Sequence, residues 1–590
     1  MRSTENRGEE SIKMKKLEEL GTVITSDILI IGGGLAGLTA SIFAKEKNPE
    51  LDVLIVESAT TGRAGRAPKA GHGTLALSKQ SVEAYVEWAT RFGGQYLNDQ
   101  DLLRQYGNES LQALEILDSW GATIPKGRDG KIISFPSDLG FGMTGLDNDM
   151  TMFAKDRALE HGVRIIDKTQ TFDFLKDGDR VVGAIGMSLL DGTFYIFKAK
   201  AVAFATGACA YKVSGLFRGY GDAIAAAYNA GAEMRNAEFF TQFDMINRRS
   251  GEKVYGCHQL IFNKNGENIS DKYALDAAEV TYPLILGMKK EIEEGRGPLY
   301  ADLTIENYIL KIIGNKNDDL GDGVRRIGPS KRAWQEHIVK KNKKLGIVQE
   351  TKPEVSVTVT MTTSPVSVDH QMRTSVPGLW AVGSASFWGQ AYMGWVHGDG
   401  TGNAVKSAMH AGPDLAEYAS AHEQGKVNAE EVATLKEKLF APLNREDGEL
   451  PKCYFDRIAD IVTDFKYCIL KTDESMKEAL ARIEEIHADL PGICATDWHE
   501  VSKCREVEGM LTCAQIAFRA SLERKESRGL VWKHNRVDYP ETDNKNWLKW
   551  IVLKKGDGGV MTVRFDPVPI WNYKYQPEGY VKPAQMGTDG

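Results

Sequence analysis

The sequence predicts an α/β protein: a parallel-sheet domain carrying an inserted α+β domain, then a helical domain and a C-terminal extension. Three observations lead there. A strand, a glycine turn, a helix and a second strand ending in an acid follow one another between residues 26 and 57. Two further strands ending in glycine lie far downstream, at Gly207 and Gly383. The stretch 416–524 is rich in helical periods, as in 476–490 (MKEALARIEEIHADL), where apolar residues return at spacings of three and four.

The opening unit is the most specific. Residues 26–31 (SDILII) are a short apolar run with β-branched bias, which suits a buried parallel strand. Gly32, Gly34 and Gly37 then fall in G-x-G-x-x-G spacing, and residues 38–45 (LTASIFAK) start a helix. In such a turn the first glycine permits the tight bend and the second lets backbone amides approach a pyrophosphate. The third lets helix and strand pack closely, with the helix N-terminus facing the phosphates. The next strand, 51–56 (LDVLIV), ends in Glu57, placed to bond the ribose hydroxyls. Together these pieces predict a Rossmann-type dinucleotide site. FAD and NAD are not distinguished by this unit alone. The strand 200–206 (KAVAFAT), ending in Thr206 before Gly207, and the strand before Gly383 favour FAD. So does a second glycine-rich turn from Gly398 to Asn403, which opens a helix over 403–410. These turns would bring amides near a flavin ring or its ribityl chain.

This order of pieces resembles the flavoprotein subunits of fumarate reductase and succinate dehydrogenase, together with aspartate oxidase and the α subunit of adenylylsulfate reductase. The resemblance runs from about residue 26 to about 555. It includes residues 63–77 (RAGRAPKAGHGTLAL), which match the flavin-approach loop and bring Arg66, His72 and Gly73 to the cofactor. It also includes the ATG turn at 205–207 and Gly221-Asp222 ahead of a helix. Further matches are 374–383 (TSVPGLWAVG), Glu526-Ser-Arg-Gly529, and the ending from Asp538 to Lys549. Residues 295–300 (GRGPLY) and that ending look closest to the adenylylsulfate reductase α type. The resemblance implies an FAD-binding domain over 22–239 and 357–415, interrupted by a capping domain over 240–356. A helical domain, 416–524, and an extension, 525–590, follow. Pro567, Pro569, Pro577 and Pro583 suggest an extended tail that wraps a partner subunit.

The departures bear on chemistry. Covalent members attach FAD through a His in an Arg-Ser-His triplet; here the triplet is Arg66-Ala67-Pro68, so non-covalent FAD is expected. The fumarate and succinate enzymes carry a His-Pro-Thr segment where this chain reads 242–249 (QFDMINRR). They also carry a proton-donating Arg where 277–289 (AAEVTYPLILGMK) holds none. A C4-dicarboxylate needs a charge-assisted partner for each carboxylate, and that clamp is largely missing. The adenylylsulfate branch places an Asn beside the flavin where residues 74–78 read TLALS.

Trp388, Tyr392 and Trp395 crowd between two glycine turns and are candidates for an apolar substrate pocket. Phe239, Phe240 and Phe243 form a second aromatic group, which domain-interface core explains more simply. His397 directly precedes the Gly398 turn and is a candidate proton donor. Arg248 and Arg249 lie where the resemblance implies a substrate-binding Arg; one of them would clamp an anion or donate the proton. Lys340, Lys341, Lys343 and Lys344 form a basic run, ordinarily a solvated face and alternatively a dock for an acidic ferredoxin-like partner.

The bulk numbers fit this reading. A chain of 590 residues exceeds one core. A formal charge of −8 argues against nucleic acid. The seven cysteines include no Cys-x-x-Cys pair, so any iron–sulfur cluster is expected on a partner subunit. No stretch of 18 apolar residues predicts a membrane span. The charged residues 1–20 lack a signal-peptide core, so the cytoplasm is the expected compartment. The leading functional expectation is a reductase subunit. It would take electrons from a ferredoxin-type partner and pass hydride from flavin N5 to an unsaturated, rather apolar substrate. Sulfite and AMP chemistry of the adenylylsulfate type is a second reading, and a non-catalytic electron-transfer module a third.

Overall fold

The apolar run after Ser26 becomes the central strand of a parallel sheet. In the computed structural model, residues 16–70, 73–136, 142–147, 149–212, 219–249, 254, 260–274, 281–302, 351–386, 399–529 and 533–580 are described. In chain order the first domain runs β1 (Ile28–Ile31), α1 (Leu35–Lys47), β2 (Val53–Val56), β3 (Arg164–Ile166), β4 (Ala201–Phe204) and α2 (Asp222–Ala230). The chain then leaves through β5 (Thr241–Asn247), α3 (Thr281–Glu293) and β6 (Glu354–Met361). It returns as β7 (Leu379–Ala381) and α4 (Asp399–Ala421). Two long helices follow, α5 (Asp473–Ala488) and α6 (Trp498–Glu523), and then a hairpin of β8 (Lys549–Lys555) and β9 (Met561–Pro567).

The sheet order is β7-β4-β1-β2-β3, and every pairing is parallel. Strand order reverses between β1 and β4, so a crevice opens beyond their carboxyl ends, where ligands of open α/β sheets bind. Every residue of β1, β2 and β4 is buried, as the continuous apolar runs require. A second sheet packs alongside, made of Thr22–Thr25, Phe194–Lys198, Arg180–Ser188 and Thr169–Asp177. Helix α1 begins at Leu35, three residues earlier than the apolar pattern suggested, because Gly34 serves as its N-cap. Helix α4 starts before Asn403, runs on to Ala421 and carries Pro413 inside it.

The excursion between β4 and β7 has a core of its own. β5 and β6 pair antiparallel from Thr241 against Met361 to Asn247 against Val355. Met245, Ile261, Leu284, Met288, Leu299 and Val355 pack together there, apart from the main core. The two connections to the first domain run side by side, with the Thr362 amide donating to the Phe240 carbonyl at 2.7 Å. These two connections, called the hinge below, join the inserted unit to the first domain.

The C-terminal region does not extend away from the molecule. β8 pairs with Met234–Arg235 next to the hinge, and β9 pairs with β8. Beyond β9, the Gln100 side chain bonds Tyr575 through both its amide nitrogen (2.6 Å) and its oxygen (3.0 Å). Lys574 reaches Glu83 at 2.8 Å. Prolines did predict irregular backbone here. Through residue 580 that backbone lies against this chain's own first domain, where Gln100 bonds the Tyr575 backbone. Pro583 lies outside the described residues.

A buried ion network joins the hinge, the helical region and the C-terminal region. Arg524, Arg528, Arg536, Glu238 and Glu526 are all fully buried. Arg524 meets Glu238 at 2.5 Å and Glu526 at 2.9 Å. Glu526 is also gripped by Arg528 at 2.6 and 2.7 Å. Arg536 donates to the carbonyls of Ser521 (2.9 Å) and Arg524 (2.7 Å) and pairs with Asp538 and Asp473. Breaking a buried pair leaves an uncompensated charge, whereas removing both partners does not. Arg524→Met is therefore expected to destabilise the protein by about 3–5 kcal/mol, and Arg524→Met with Glu238→Leu by much less. Urea midpoints of the two variants check this; equal losses would contradict it.

Candidate functional site

The glycine turn is shaped by contacts that exclude side chains. Gly32 has φ +107°, and a Cβ there would lie 2.8 Å from the Ala205 carbonyl oxygen. A Cβ on Gly37 would lie 2.0 Å from the Gly32 oxygen, so only a hydrogen fits where α1 crosses β1. Gly34 is different. A Cβ there would meet nothing within 4 Å, and Gly207, at φ +77°, also faces open space. Two positions near the crevice thus carry space that no protein atom fills.

At one end of the crevice the groups suit a sugar and base. The Glu57 carboxylate, at the end of β2, accepts from the Gly33 and Ala59 amides, both at 2.7 Å. Asp222 opens α2, accepts from Gln170 Nε2 at 3.1 Å, and has its carboxyl pushed up to about 6 by burial. Gln170 is itself held by Ser502 of α6, so the helical region reaches the nucleotide end. Tyr220 lies 3.2 Å from Ser58, next to Glu57. Lys212 pairs with Glu506, and burial lowers its ammonium to about 8. Gln170, Ser502 and Glu506 carried no sequence signal, being supplied by elements hundreds of residues apart.

At the other end, Thr206 and Asn403 are the telling residues. Asn403 is fully buried, and neither atom of its amide has a hydrogen-bond partner; the Thr206 hydroxyl is likewise unsatisfied. Buried polar atoms without partners are rare, and a bound polar ligand would satisfy them. Gly383, at φ +66°, donates its amide to Ser407 at 3.0 Å, and Ser407 donates to the Asn403 carbonyl at 2.7 Å. Ser407 thereby fixes the start of α4 against the β7 turn. Arg66 precedes the short helix Ala67–Ala70, and Gly73 begins a strand paired to Gly145. This donor set, with the open space at Gly34 and Gly207, fits a dinucleotide that carries a polar ring system.

Other sequence-derived candidates fall elsewhere. His72, Trp388, Tyr392, Trp395, His397 and Gly398 lie outside the described residues, as do Lys340, Lys341, Lys343 and Lys344. Arg248 follows the last residue of β5, roughly 20 Å along that strand from the hinge at about 3.3 Å per residue. Its side chain is 66% exposed and held by Glu354 at 2.9 Å. Arg249 is exposed beside it. Two adjacent arginines at a strand end are thus solvated and not gathered at the glycine turns. Phe239 and Phe240 are hinge core: Phe240 packs edge-on against Phe518 at 5.6 Å, and Phe239 against His534 at 6.0 Å.

Residues 27–402 match the family described as FAD binding domain, and residues 459–582 match fumarate reductase flavoprotein C-term. The chain belongs to the FAD-binding flavoprotein family of the fumarate reductases. An uncharacterised FAD-dependent oxidoreductase of Methanocaldococcus jannaschii is 26% identical over 559 residues, covering 90% of this chain and 96% of that protein. The 8-methylmenaquinol:fumarate reductase flavoprotein subunit of Wolinella succinogenes is 25% identical, covering 94% and 92%. Among solved structures, the E. coli quinol fumarate reductase flavoprotein superposes with a TM-score of 0.79 at 20% identity, covering 94% and 98%. The adenylylsulfate reductase of Archaeoglobus fulgidus does so at 0.75 and 20%, covering 95% and 99%. These superpositions establish a shared fold. The protein is an FAD-dependent oxidoreductase of the fumarate reductase flavoprotein type. Among the described residues no helix is long and apolar enough to cross a membrane.

The glycines separate fold from cofactor. Gly34→Ala is expected to leave the urea midpoint of the FAD-free flavoprotein unchanged while weakening FAD by about tenfold or more, because the methyl group enters space kept for the ligand. Gly37→Ala is expected to destabilise the fold itself by about 1–3 kcal/mol. FAD titration and urea unfolding of both variants check this; a Gly34→Ala protein that binds FAD normally would contradict it.

Proposed function

We propose that this flavoprotein is the reductase subunit of a hetero-oligomer, receiving electrons from a ferredoxin-like iron–sulfur partner and reducing an unsaturated, rather apolar substrate. What supports this reading is the open space at Gly34 and Gly207 with the unsatisfied Thr206 and Asn403 atoms, together with a sequence that replaces the residues matching the family's dicarboxylate clamp. Arg248 is engaged by Glu354, and the first two turns of α3 offer Tyr282, Leu284, Ile285 and Leu286 in place of an arginine. FAD is held without a covalent bond, because the attachment triplet reads Arg66-Ala67-Pro68. When bound, FAD takes up electrons singly or in pairs and supplies a hydride.

The chain's own residues then do four things. The amides of the Gly32–Gly37 turn and the α1 N-terminus hold the pyrophosphate, and Glu57 the ribose. Asp222 and Gln170 order the adenosine end. Thr206, Asn403 and the Gly383 turn hold the flavin end. His397 is the proposed proton donor, with Trp388, Tyr392 and Trp395 lining the pocket, all within the segment after Ser386. Closure of the β5–β6 cap about its hinge excludes water during transfer.

Partner-held clusters follow from the cysteines. Cys209, Cys468, Cys494, Cys504 and Cys513 are buried, and burial raises the thiols of Cys468, Cys504 and Cys513, which suits inert packing. The Wolinella relative is named a flavoprotein subunit, which supports assembly with other chains. The cytoplasm remains the proposed compartment.

Anaerobic stopped flow tests the reading. The dithionite-reduced flavoprotein is mixed with fumarate or with a panel of conjugated alkenes, and the oxidised form with sulfite plus AMP. Reoxidation by an alkene and not by fumarate is expected. Flavin reduction by sulfite plus AMP would instead favour the adenylylsulfate reaction, and silence across the panel an electron-transfer module.

A further inference from the structure

The acid at the end of β2 is aimed by a hydrogen-bond chain that starts outside the glycine turn. A carboxylate offers lone pairs on both of its oxygens. Glu57 Oε1 accepts from the Ala59 amide at 2.7 Å and from the Ser58 hydroxyl at 3.3 Å. Oε2 accepts from the Gly33 amide at 2.7 Å, which leaves one of its lone pairs for a ribose hydroxyl. Ser58 has a single hydroxyl hydrogen and gives it to Glu57. The Tyr220 hydroxyl, 3.2 Å from Ser58 Oγ, is therefore the donor of that pair. Burial raises the Tyr220 phenol well above the ordinary tyrosine range, and the Asp222 and Glu506 carboxylates raise it further. Tyr220 thus keeps the proton it donates.

What holds Tyr220 comes from the helical region. Along α6, Ser502, Glu506, Gly509 and Cys513 recur at helical spacing and so share one face. That face lies on the turn from Tyr220 to Asp222. A Cβ on Gly509 would lie 2.8 Å from the Tyr220 carbonyl oxygen and 2.9 Å from the Asp222 nitrogen, so helix and turn touch with no side chain between them. A Cβ on Gly221 would lie 2.5 Å from Cys513 Sγ, and Gly221 has φ +74°. Ser502 reaches Asp222 through Gln170. Glu506 pairs with Lys212, whose ammonium stands 5.1 Å from the centre of the Tyr220 ring. Every residue of that face meets the turn directly or through one intermediary.

We propose that Tyr220 is a positioning residue for FAD, holding the Glu57 carboxylate through Ser58 in the direction of the ribose, and that this face of α6 sets where Tyr220 stands. Without the phenol, Ser58 Oγ loses its donor and the serine is free to turn away from Glu57. The carboxylate then rotates about its last torsion, and the lone pair on Oε2 is no longer aimed. FAD affinity is in this way a joint property of the first domain and the helical region. The proposal rests on Glu57 as the ribose acid and is independent of the substrate.

Titration of the FAD-free protein with FAD, followed by quenching of flavin fluorescence, tests this. The readout is the dissociation constant of folded protein, which a merely stabilising contact leaves unmoved. Tyr220→Phe is expected to weaken FAD about three- to tenfold, as for the loss of one hydrogen bond. Ser58→Ala should cost a similar amount, and Tyr220→Phe added to Ser58→Ala should cost nothing more, because the tyrosine acts through the serine. Gly509→Ala, which pushes α6 off the turn, should weaken FAD at least as much as Tyr220→Phe. Unchanged FAD binding in Tyr220→Phe, or losses that add in the double variant, overturns the proposal. Unchanged binding in Gly509→Ala overturns the role of α6, and the Tyr220 and Ser58 variants decide the rest without it. Glu57→Gln separates the underlying reading. If it binds FAD like the wild type, the ribose assignment itself falls; if it loses FAD while Tyr220→Phe does not, the assignment stands and the role of Tyr220 falls.

Discussion

The contact between Gly37 and Gly32 constrains everything built around it. No side chain fits between them, so α1 lies directly on the end of β1 with its N-terminus at the mouth of the crevice. Only in that position does the Gly33 amide reach Glu57 at the end of β2. The neighbouring ladders then run past their strands: Gly32 bonds Val56, Ala205 bonds Ile31, and Val382 bonds Phe204, at 2.7 to 2.9 Å. Four strand ends are thereby held at one edge. The open space at Gly34 and Gly207 and the unsatisfied atoms of Thr206 and Asn403 all lie beyond that edge. The site is a preformed shape with polar groups waiting inside it.

The second constraint is the buried charge network behind the hinge. Such pairs add little net stability over apolar packing. Here they join residues from three distant stretches, Glu238 before the cap, Asp473 in the helical region and Arg536 near the C-terminus. They tie Glu238, next to the hinge, to Arg524, Glu526 and Arg528. Phe239 and Phe240 supply the apolar part of that junction, packing on His534 and Phe518.

Much of the cofactor site was legible because its signals are short-range. Glycine spacing, a buried strand and an acid at the end of the next strand all lie within residues 26–57, and the structure places each of them at the crevice. What could not be read depends on long-range pairing. Asp222 was visible as part of a motif, but Gln170 and Ser502, which orient it, join residues 332 apart in sequence. Nothing local marks Arg524 as buried, because its partner Glu238 lies 286 residues away. Arg248 and Arg249 stand exposed at the end of β5, a position that their sequence does not disclose. The C-terminal prolines correctly signalled irregular chain, but composition does not say what such a chain lies against.

The most direct measurement is the flavin content of the purified protein before and after acid precipitation. The account predicts one FAD per chain, recovered intact in the supernatant, because the crevice is shaped for FAD and Ala67-Pro68 offers no point of attachment. Flavin that stays with the precipitated chain, or a natively purified chain that neither carries nor binds FAD, would contradict it.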